Sequence, residues 1–263
     1  MLDYLKEELK LNYLELCKHL QDKYGVPSGN YFLTKSCKSK NNKITRGNDG
    51  LFLHHIKENE EIDLSKTDRA TACPFEYQES KNLCYCNYLE HLILHMKIVE
   101  EYLSAELKRW VDESHLNEQI PNNPIKYLGI GGLNNHIIPE INDFYNGYEY
   151  SRDWQIKALN LVDFESFEEL KKMSYDTIVN TFTTFDFSEH YITKFAGIIN
   201  QKVFLDNKGK MTDKNYKQVQ AKREEHKKRY AEDEEYRKEY DKMMAERMES
   251  IKKILEVRHN KDK

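Results

Sequence analysis

The sequence contains no long hydrophobic run. Hydrophobic residues make up 39% and charged residues 33% of the 263 positions, and the mean hydropathy is -0.86. A membrane-spanning helix needs about 18 consecutive, mainly apolar residues, and no segment approaches that length. The composition therefore predicts a soluble protein, long enough for one large domain or two small ones.

Two further absences concern export and disulfides. The first eight residues carry Asp3, Glu7 and Glu8 where a signal peptide has basic residues and then an apolar run. The five cysteines are an odd number, which does not suit a disulfide framework and suits a reducing compartment. We therefore expect a cytoplasmic protein. The cysteines are Cys17, Cys37, Cys73, Cys84 and Cys86.

The chain also lacks an overall positive charge. Its 41 Lys and Arg residues against 45 Asp and Glu residues give a net charge of -4, which by itself argues against a nucleic-acid partner. The charge is unevenly distributed, however. Residues 34–48 carry five basic residues and no acidic one, and residues 213–263 carry 16 basic and 13 acidic residues. A local positive patch is therefore expected directly before residue 50.

The N-terminal segment predicts a helix. Leucines recur at spacings of three and four over residues 2–24, as in an amphipathic helix, and Gly25 and Pro27 would end it.

A strand pair and a second helix are predicted next. Residues 51–56 and 83–86 are short, apolar segments typical of strands. Asn87 followed by Glu90 has the pattern of a capping box, so we expect a long helix over residues 88–113 with an apolar stripe facing the core.

The remainder of the chain is predicted to be helical as well. Residues 214–257 contain neither Gly nor Pro and include Glu–Lys and Glu–Arg pairs four apart, as in a solvent-facing helix. The second half of this segment adds an apolar stripe that would pack on the body of the protein or on a second copy. The expected fold class is mainly α, formally α+β. The clearer helices before the tail cover residues 134–144, 151–161 and 164–173.

Four of the ten histidines lie close together in this pattern. His54 and His55 are adjacent in the first predicted strand, and His91 and His95 stand four apart in the helix. Residues four apart project from one helical face, so both imidazoles can reach one metal ion. Adjacent strand residues point to opposite faces, so only one of the first pair would join them. The pattern predicts three metal ligands and one imidazole with another role.

This order of elements resembles the ββα-metal fold of the HNH nucleases. The segment NLCYCNYLEHLILH matches the second half of the HNH motif, with Asn82 nine residues before His91 and thirteen before His95. That spacing is similar to the colicin-type DNases of the family. The resemblance covers about residues 50–97, with a loop between His55 and Asn82 that is longer than in the shortest members.

The resemblance implies a role for each of these residues. His55 corresponds to the general base that deprotonates the attacking water, a task suited to a group with a pKa of about 6.5. His54, His91 and His95 correspond to the metal ligands, and Asn82 to the middle Asn that tethers the loop and orients the base. The products in this family carry 5′-phosphate and 3′-hydroxyl ends.

The implied cofactor is one divalent metal ion. Mg²⁺ or Mn²⁺ would support activity, although three imidazoles could hold Zn²⁺ or Ni²⁺ more tightly. A structural zinc site is the alternative for the same residues, but such sites are closed by four protein ligands and usually use cysteine. Cys84 and Cys86 are nearby, yet a Cys-x-Cys strand lacks the tight turn of a zinc knuckle, so we assign both to the core.

Weaker signals surround this site. Lys43, Arg46, Lys57 and Lys97 could contact phosphates, with ordinary solvation as the simpler explanation for each. The glycine-rich segment 129–132 lacks the remaining residues of a phosphate loop and is predicted to be a turn.

These predictions define four regions and a function. The expected function is a metal-dependent HNH endonuclease acting on DNA, in a setting such as restriction or anti-phage defence, with RNA as an alternative substrate. The competing hypothesis is a non-catalytic DNA-binding or regulatory module with a structural metal. We expect no membrane partner, and a homodimer or protein partner could form through the C-terminal helix. The regions are 1–49 (N-terminal helix and basic loop), 50–115 (nuclease module), 116–212 (helical accessory region) and 213–263 (long charged helix).

Overall fold

The described part of the chain is mainly α-helical, which confirms the predicted class. It also contains a two-stranded antiparallel sheet. The chain divides into two compact units, Met1–Phe144 with Tyr148–Lys202 and Tyr145–Gly147 with Val203–Lys263. The structure, a computed structural model, describes residues 1–116, 125–146, 150–185, 228–238 and 242.

The N-terminal segment forms two helices, so the prediction of a single helix was wrong. Helix α1 covers Asp3–Glu8 and helix α2 covers Tyr13–Tyr24. The break lies at Asn12, whose side chain accepts the Glu15 N–H while the Glu15 carboxylate accepts the Asn12 N–H, both at 3.0 Å. This capping box starts a new helix. Gly25 ends α2 with a φ of 82°, as its position predicted.

The sheet confirms both predicted strands. Strand β1 covers Phe52–His55 and strand β2 covers Leu83–Cys86, with His54 opposite Cys84. The connection between them, expected to be a long loop, includes a short helix α3 at Thr67–Ala72. It also contains three 3₁₀ turns, at Ile56–Asn59, Phe75–Gln78 and Ser80–Asn82.

A long helix at the centre of the first unit follows the sheet. It runs through α4 (Tyr88–Ile98), a π turn (Val99–Leu103) and α5 (Ser104–Leu116). The predicted capping box of Asn87 and Glu90 is present at its start. The predicted apolar stripe is buried, and burial on α4 extends beyond it, since nine of the eleven residues of this helix are buried.

A buried ionic network anchors the start of α4 to the N-terminal helices. The Lys23 ammonium lies 2.6 Å from the Glu90 carboxylate and 2.9 Å from that of Glu8. The Tyr24 hydroxyl donates to Glu90 at 2.8 Å. Because Glu90 is fully buried and Glu8 nearly so, these contacts compensate the cost of removing the carboxylates from water.

The remaining helices lie where the pattern placed them, with different ends. Helix α9 extends to Thr184, well past residue 173, and packs against α4. In order, these helices are α6 (Ile130–Gly132), a π turn (Leu133–Ile137), α7 (Ile138–Tyr145), α8 (Asp153–Asn160) and α9 (Phe164–Thr184).

The C-terminal tail is described only in part. Residues 228–232 and 234–238 are helical, and Asp233 interrupts them by capping the second segment through the Tyr236 N–H at 2.9 Å. The predicted continuous helix over 214–257 was therefore wrong at Asp233, and most of that prediction lies outside the described residues. Within the described ranges, no helix combines the length and the apolar character needed to cross a membrane.

Candidate metal centre

Strand β1 and helix α4 bring three of the four predicted histidines together. His54, His91 and His95 each offer a nitrogen within 4.8 Å of the other two. The Nε2 atoms of His91 and His95 are 3.2 Å apart. Two nitrogens bound at about 2.0–2.1 Å to one tetrahedral ion lie about 3.3 Å apart, so this separation fits a shared metal.

Hydrogen bonds determine which nitrogen of His54 is free. The Tyr13 hydroxyl donates its proton to the Ile56 carbonyl at 2.8 Å, so it can only accept a proton from His54 Nε2, 2.9 Å away. The lone pair of His54 therefore lies on Nδ1, which is buried and has no hydrogen-bond partner. A buried basic nitrogen without a hydrogen-bond partner is suited to bind a metal ion. The hydrogen bond from the other ring nitrogen to Tyr13 would then hold the imidazole in the ligating orientation.

The central helix holds Tyr13 in place. The backbone N–H of Tyr13 donates to both carboxylate oxygens of Glu101, at 3.0 and 3.2 Å, and Glu101 belongs to the π turn Val99–Leu103. The Tyr13 ring also packs edge-on against that of Tyr102. The sequence alone does not single out Tyr13, because an aromatic residue on an amphipathic helix is ordinarily a core residue.

Two glycines let the segment before α7 approach His95 closely. A Cβ atom at Gly132 would overlap the imidazole ring of His95, and one at Gly129 would lie 2.6 Å from the His95 carbonyl oxygen. Gly129 also has a φ of 78°, which other residues rarely adopt. The segment does turn at Gly129, as predicted, and it also forms the surface against which the His95 ring packs.

Glu58 lies beside the three imidazoles, in the turn directly after β1. Its Oε2 atom is 3.5 Å from His95 Nε2 and 3.8 Å from His54 Nδ1, and its Oε1 atom is 3.9 Å from His55 Nδ1. Burial raises the pKa of Glu58 to about 8. Its position three residues after the His-His pair was the only sequence signal that could have identified it.

His55 lies on the other face of β1 and is 1% exposed. Its Nε2 atom is 2.9 Å from Gln78 Oε1, and the Gln78 amide nitrogen donates to the Leu64 carbonyl at 3.2 Å. The Gln78 oxygen is thus the acceptor, so His55 carries its proton on Nε2 and its lone pair on Nδ1. Burial lowers the pKa of His55 to about 4, below the value of about 6.5 on which the sequence-based role rested, so the imidazole is neutral but a weaker base than a free histidine.

Asn82 acts on the loop rather than on His55 directly. Its side chain donates to the Glu76 carbonyl at 2.7 Å. Glu76 and Gln78 belong to the same 3₁₀ turn. Asn82 therefore holds the turn whose Gln78 contacts His55, without contacting His55 itself.

Burial keeps the three imidazoles of the cluster neutral. It lowers the pKa of His54 and of His91 well below 6.5 and that of His95 to about 4. The neutral imidazole is the form that binds metal. The exposed His136 lies near enough to lower the pKa of both His91 and His95 as well.

The basic loop approaches the site from the side of His55. Lys40 Nζ lies 5.3 Å from the centre of the Tyr31 ring, and that ring lies 4.4 Å from the His55 ring. Four lysines of the loop are exposed and form no ion pair within the described part of the chain. They are Lys35, Lys38, Lys40 and Lys43.

The four predicted phosphate contacts differ in their surroundings. Lys43 is exposed and free of ion pairs with the described residues. Arg46 donates to an aspartate and to a backbone carbonyl, while Lys57 and Lys97 each pair with a glutamate three residues further along. Those three cations would have to exchange partners to bind a phosphate.

The nearby cysteines do not join the cluster. Cys84 and Cys86 are fully buried, as predicted for core residues. Among the residues that the structure describes, the group whose donor atoms all lie within 4.8 Å of one another consists of the three histidines.

Comparison with known proteins identifies no relative, since no family model, no curated protein and no solved structure matches this chain.

Proposed function

We propose that this protein is a metal-dependent endonuclease of the HNH type, with β1, β2 and α4 forming its ββα-metal module. The convergence of His54, His91 and His95 on one point is the observation that carries the proposal. The substrate we propose is DNA, hydrolysed to 5′-phosphate and 3′-hydroxyl ends. RNA contains the same phosphodiester and is the alternative substrate.

The three imidazoles would hold one Mg²⁺ or Mn²⁺ ion. When bound, such an ion stabilises the negative charge that develops on the phosphate and the leaving 3′ oxygen. The protein keeps its ligands neutral by burial, fixes the proton of His54 through Tyr13, and sets the ring of His95 against Gly132.

His55 is the general base in this proposal. Its free Nδ1 faces Oε1 of Glu58, and Oε2 of Glu58 faces His54 and His95. The Glu58 carboxylate therefore lies between the proposed base and these two proposed ligands. Gln78 holds the Nε2 proton, and Asn82 holds the loop that carries Gln78. General-base catalysis of this kind contributes about 10²–10⁴-fold to a rate.

The basic loop supplies the surface for the phosphodiester backbone. Its lysines, already free of acidic partners within the described residues, can bind phosphates without breaking an ion pair. Lys40 lies on the His55 side, which would direct the substrate towards the proposed base.

Plasmid nicking with Mg²⁺ or Mn²⁺ tests the proposal. His55→Ala should reduce nicking by about 100-fold or more and retain metal binding, whereas His91→Ala should lose metal. His19→Ala is the control, since His19 lies on α2 with a side chain 47% exposed, and it should nick normally. Undiminished nicking by His55→Ala would contradict the mechanism.

A second candidate is a non-catalytic DNA-binding or regulatory module with a structural metal. The deep burial of the ligands favours it, since His54 is 1% and His95 is 5% exposed. If the wild-type protein binds DNA but cuts neither plasmid nor RNA with Mg²⁺, Mn²⁺, Ni²⁺ or Zn²⁺, this second function is the better explanation.

A further inference from the structure

We propose that Glu58 is a fourth protein ligand of the divalent metal, completing a three-histidine, one-carboxylate site. The inference rests on the proposed metal site and extends it, since the HNH resemblance implies the three histidines alone.

Three separations between the four proposed donor groups are close to those between ligands of one ion. Glu58 Oε2 is 3.5 Å from His95 Nε2 and 3.8 Å from His54 Nδ1, and His95 Nε2 is 3.2 Å from its counterpart on His91. Ligand atoms of one tetrahedral ion are separated by about 3.3–3.5 Å for metal–nitrogen and metal–oxygen bonds of about 2.0–2.2 Å. Relative to His95 and His54, the Glu58 oxygen is therefore within about 0.5 Å of the separation between two ligand atoms that share one ion.

The charges around Glu58 also call for a cation. Its side chain is only 19% exposed, and within the described ranges it has neither a hydrogen-bond donor nor a Lys or Arg partner. The adjacent Lys57 pairs with Glu60 instead. A poorly solvated carboxylate without a cation is costly, and a divalent ion at this point would neutralise it.

The unsatisfied nitrogen of His54 supports the same geometry independently. His54 Nδ1 is buried without a hydrogen-bond partner, and the carboxylate oxygen nearest to it belongs to Glu58 at 3.8 Å. Both groups lack a partner, and one cation placed between them satisfies both.

A fourth protein ligand changes which metals can work. Zn²⁺ prefers four ligands in structural sites, so it would be enclosed by protein with no position for substrate. Mg²⁺ and Mn²⁺ favour six oxygen or nitrogen ligands, so two positions would stay open to water and phosphate. We therefore expect Zn²⁺ to bind tightly and to block the site, and Mn²⁺ to leave it accessible.

Metal titration of the full chain tests the inference without any activity assay. We compare Zn²⁺ affinity by calorimetry and the visible spectrum of bound Co²⁺ for the wild type, Glu58→Gln and Glu58→Asp. The control is Glu60→Gln, which removes a nearby carboxylate that pairs with Lys57. Loss of an outer hydrogen-bonding group costs about 10–100-fold in metal affinity, so a ligand should cost more than about 100-fold.

Loss of the Glu58 carboxylate should lower metal affinity but increase the stability of the metal-free protein. Glu58→Gln should weaken Zn²⁺ binding by more than about 100-fold and alter the Co²⁺ spectrum, yet raise the unfolding temperature of the metal-free protein, because it removes a carboxyl group whose burial is costly. Glu58→Asp should bind with intermediate affinity, and Glu60→Gln should match the wild type.

Two results would overturn the proposal, and they are distinguishable. If Glu58→Gln binds Zn²⁺ and Co²⁺ like the wild type while His91→Ala does not, Glu58 is not a ligand and the three-histidine site stands. If the wild type binds neither metal, both this inference and the proposed function fail.

Discussion

Gly132→Ala is the sharpest test of how the fold supports the metal site. In a helix, Ala is ordinarily more stable than Gly by about 0.5–1 kcal/mol. At Gly132 the added methyl group would overlap the buried ring of His95, so the ring must retreat by roughly 1 Å to restore an ordinary contact of about 3.5 Å. Overpacking of this kind lowers the free energy of unfolding by about 1–3 kcal/mol. The displaced His95 ring also moves away from the position in which it could bind one metal ion together with His91. We expect metal affinity to fall at least about 10-fold.

The neighbouring Gly131→Ala is a matched control. A Cβ atom there meets nothing within 4 Å, so this variant should gain the ordinary helix stabilisation and bind metal normally. Urea unfolding of the metal-free proteins and calorimetric titration with Zn²⁺ measure the two quantities. Equal affinities for Gly132→Ala and Gly131→Ala would refute the claim that this glycine positions the ligand.

Three further predictions concern the surroundings of the site. Tyr13→Phe removes the acceptor that fixes the His54 tautomer and should weaken Zn²⁺ binding by about 10-fold or more in calorimetry; an unchanged affinity would contradict this role. With metal removed by a chelator, the protein should become less stable as the pH drops from 6.5, because the unfolded chain then protonates imidazoles that stay neutral in the fold. The loss should be about 3 kcal/mol at pH 4 for each histidine whose folded pKa is about 4. The contribution of Glu58 to stability changes with pH in the opposite direction. Its pKa in the folded protein is about 8, so the fold keeps a proton that the unfolded chain has released, and stability should decrease by about 2 kcal/mol as the pH rises from 6.5 to 8. Urea titrations should then give a maximum near pH 6.5, and a curve that rises or falls throughout would disagree. Replacing Lys40 and Lys43 by Gln should reduce the salt slope of DNA binding by about 2, whereas Lys18→Gln, which breaks an ion pair on α2, should leave it unchanged.

Local sequence determined most of the elements that carry the histidines. The strands, the capping box at Asn87 and the four-residue spacing of His91 and His95 depend on neighbouring residues, and the structure contains all of them. The break at Asn12 was also encoded locally, since Glu15 stands three residues later, but the leucine periodicity across it predicted one continuous helix.

The tertiary structure alone decided how the site is surrounded. Tyr13 and Gly132 are distant in sequence from the histidines they contact, and nothing in their local pattern indicates that contact. Periodicity shows which side of an element is buried, but it does not show which partner the side meets.

The histidine cluster illustrates this division. Its residue types and spacing were readable because the alternation along a strand and the turn of a helix are short-range properties of the backbone. The orientation of Glu58 towards the cluster, the hydrogen bond from His55 to Gln78 and the free Nδ1 of His54 depend on packing between elements far apart in the chain. Only the folded chain could determine them, because burial and contact depend on the partner as well as on the residue itself.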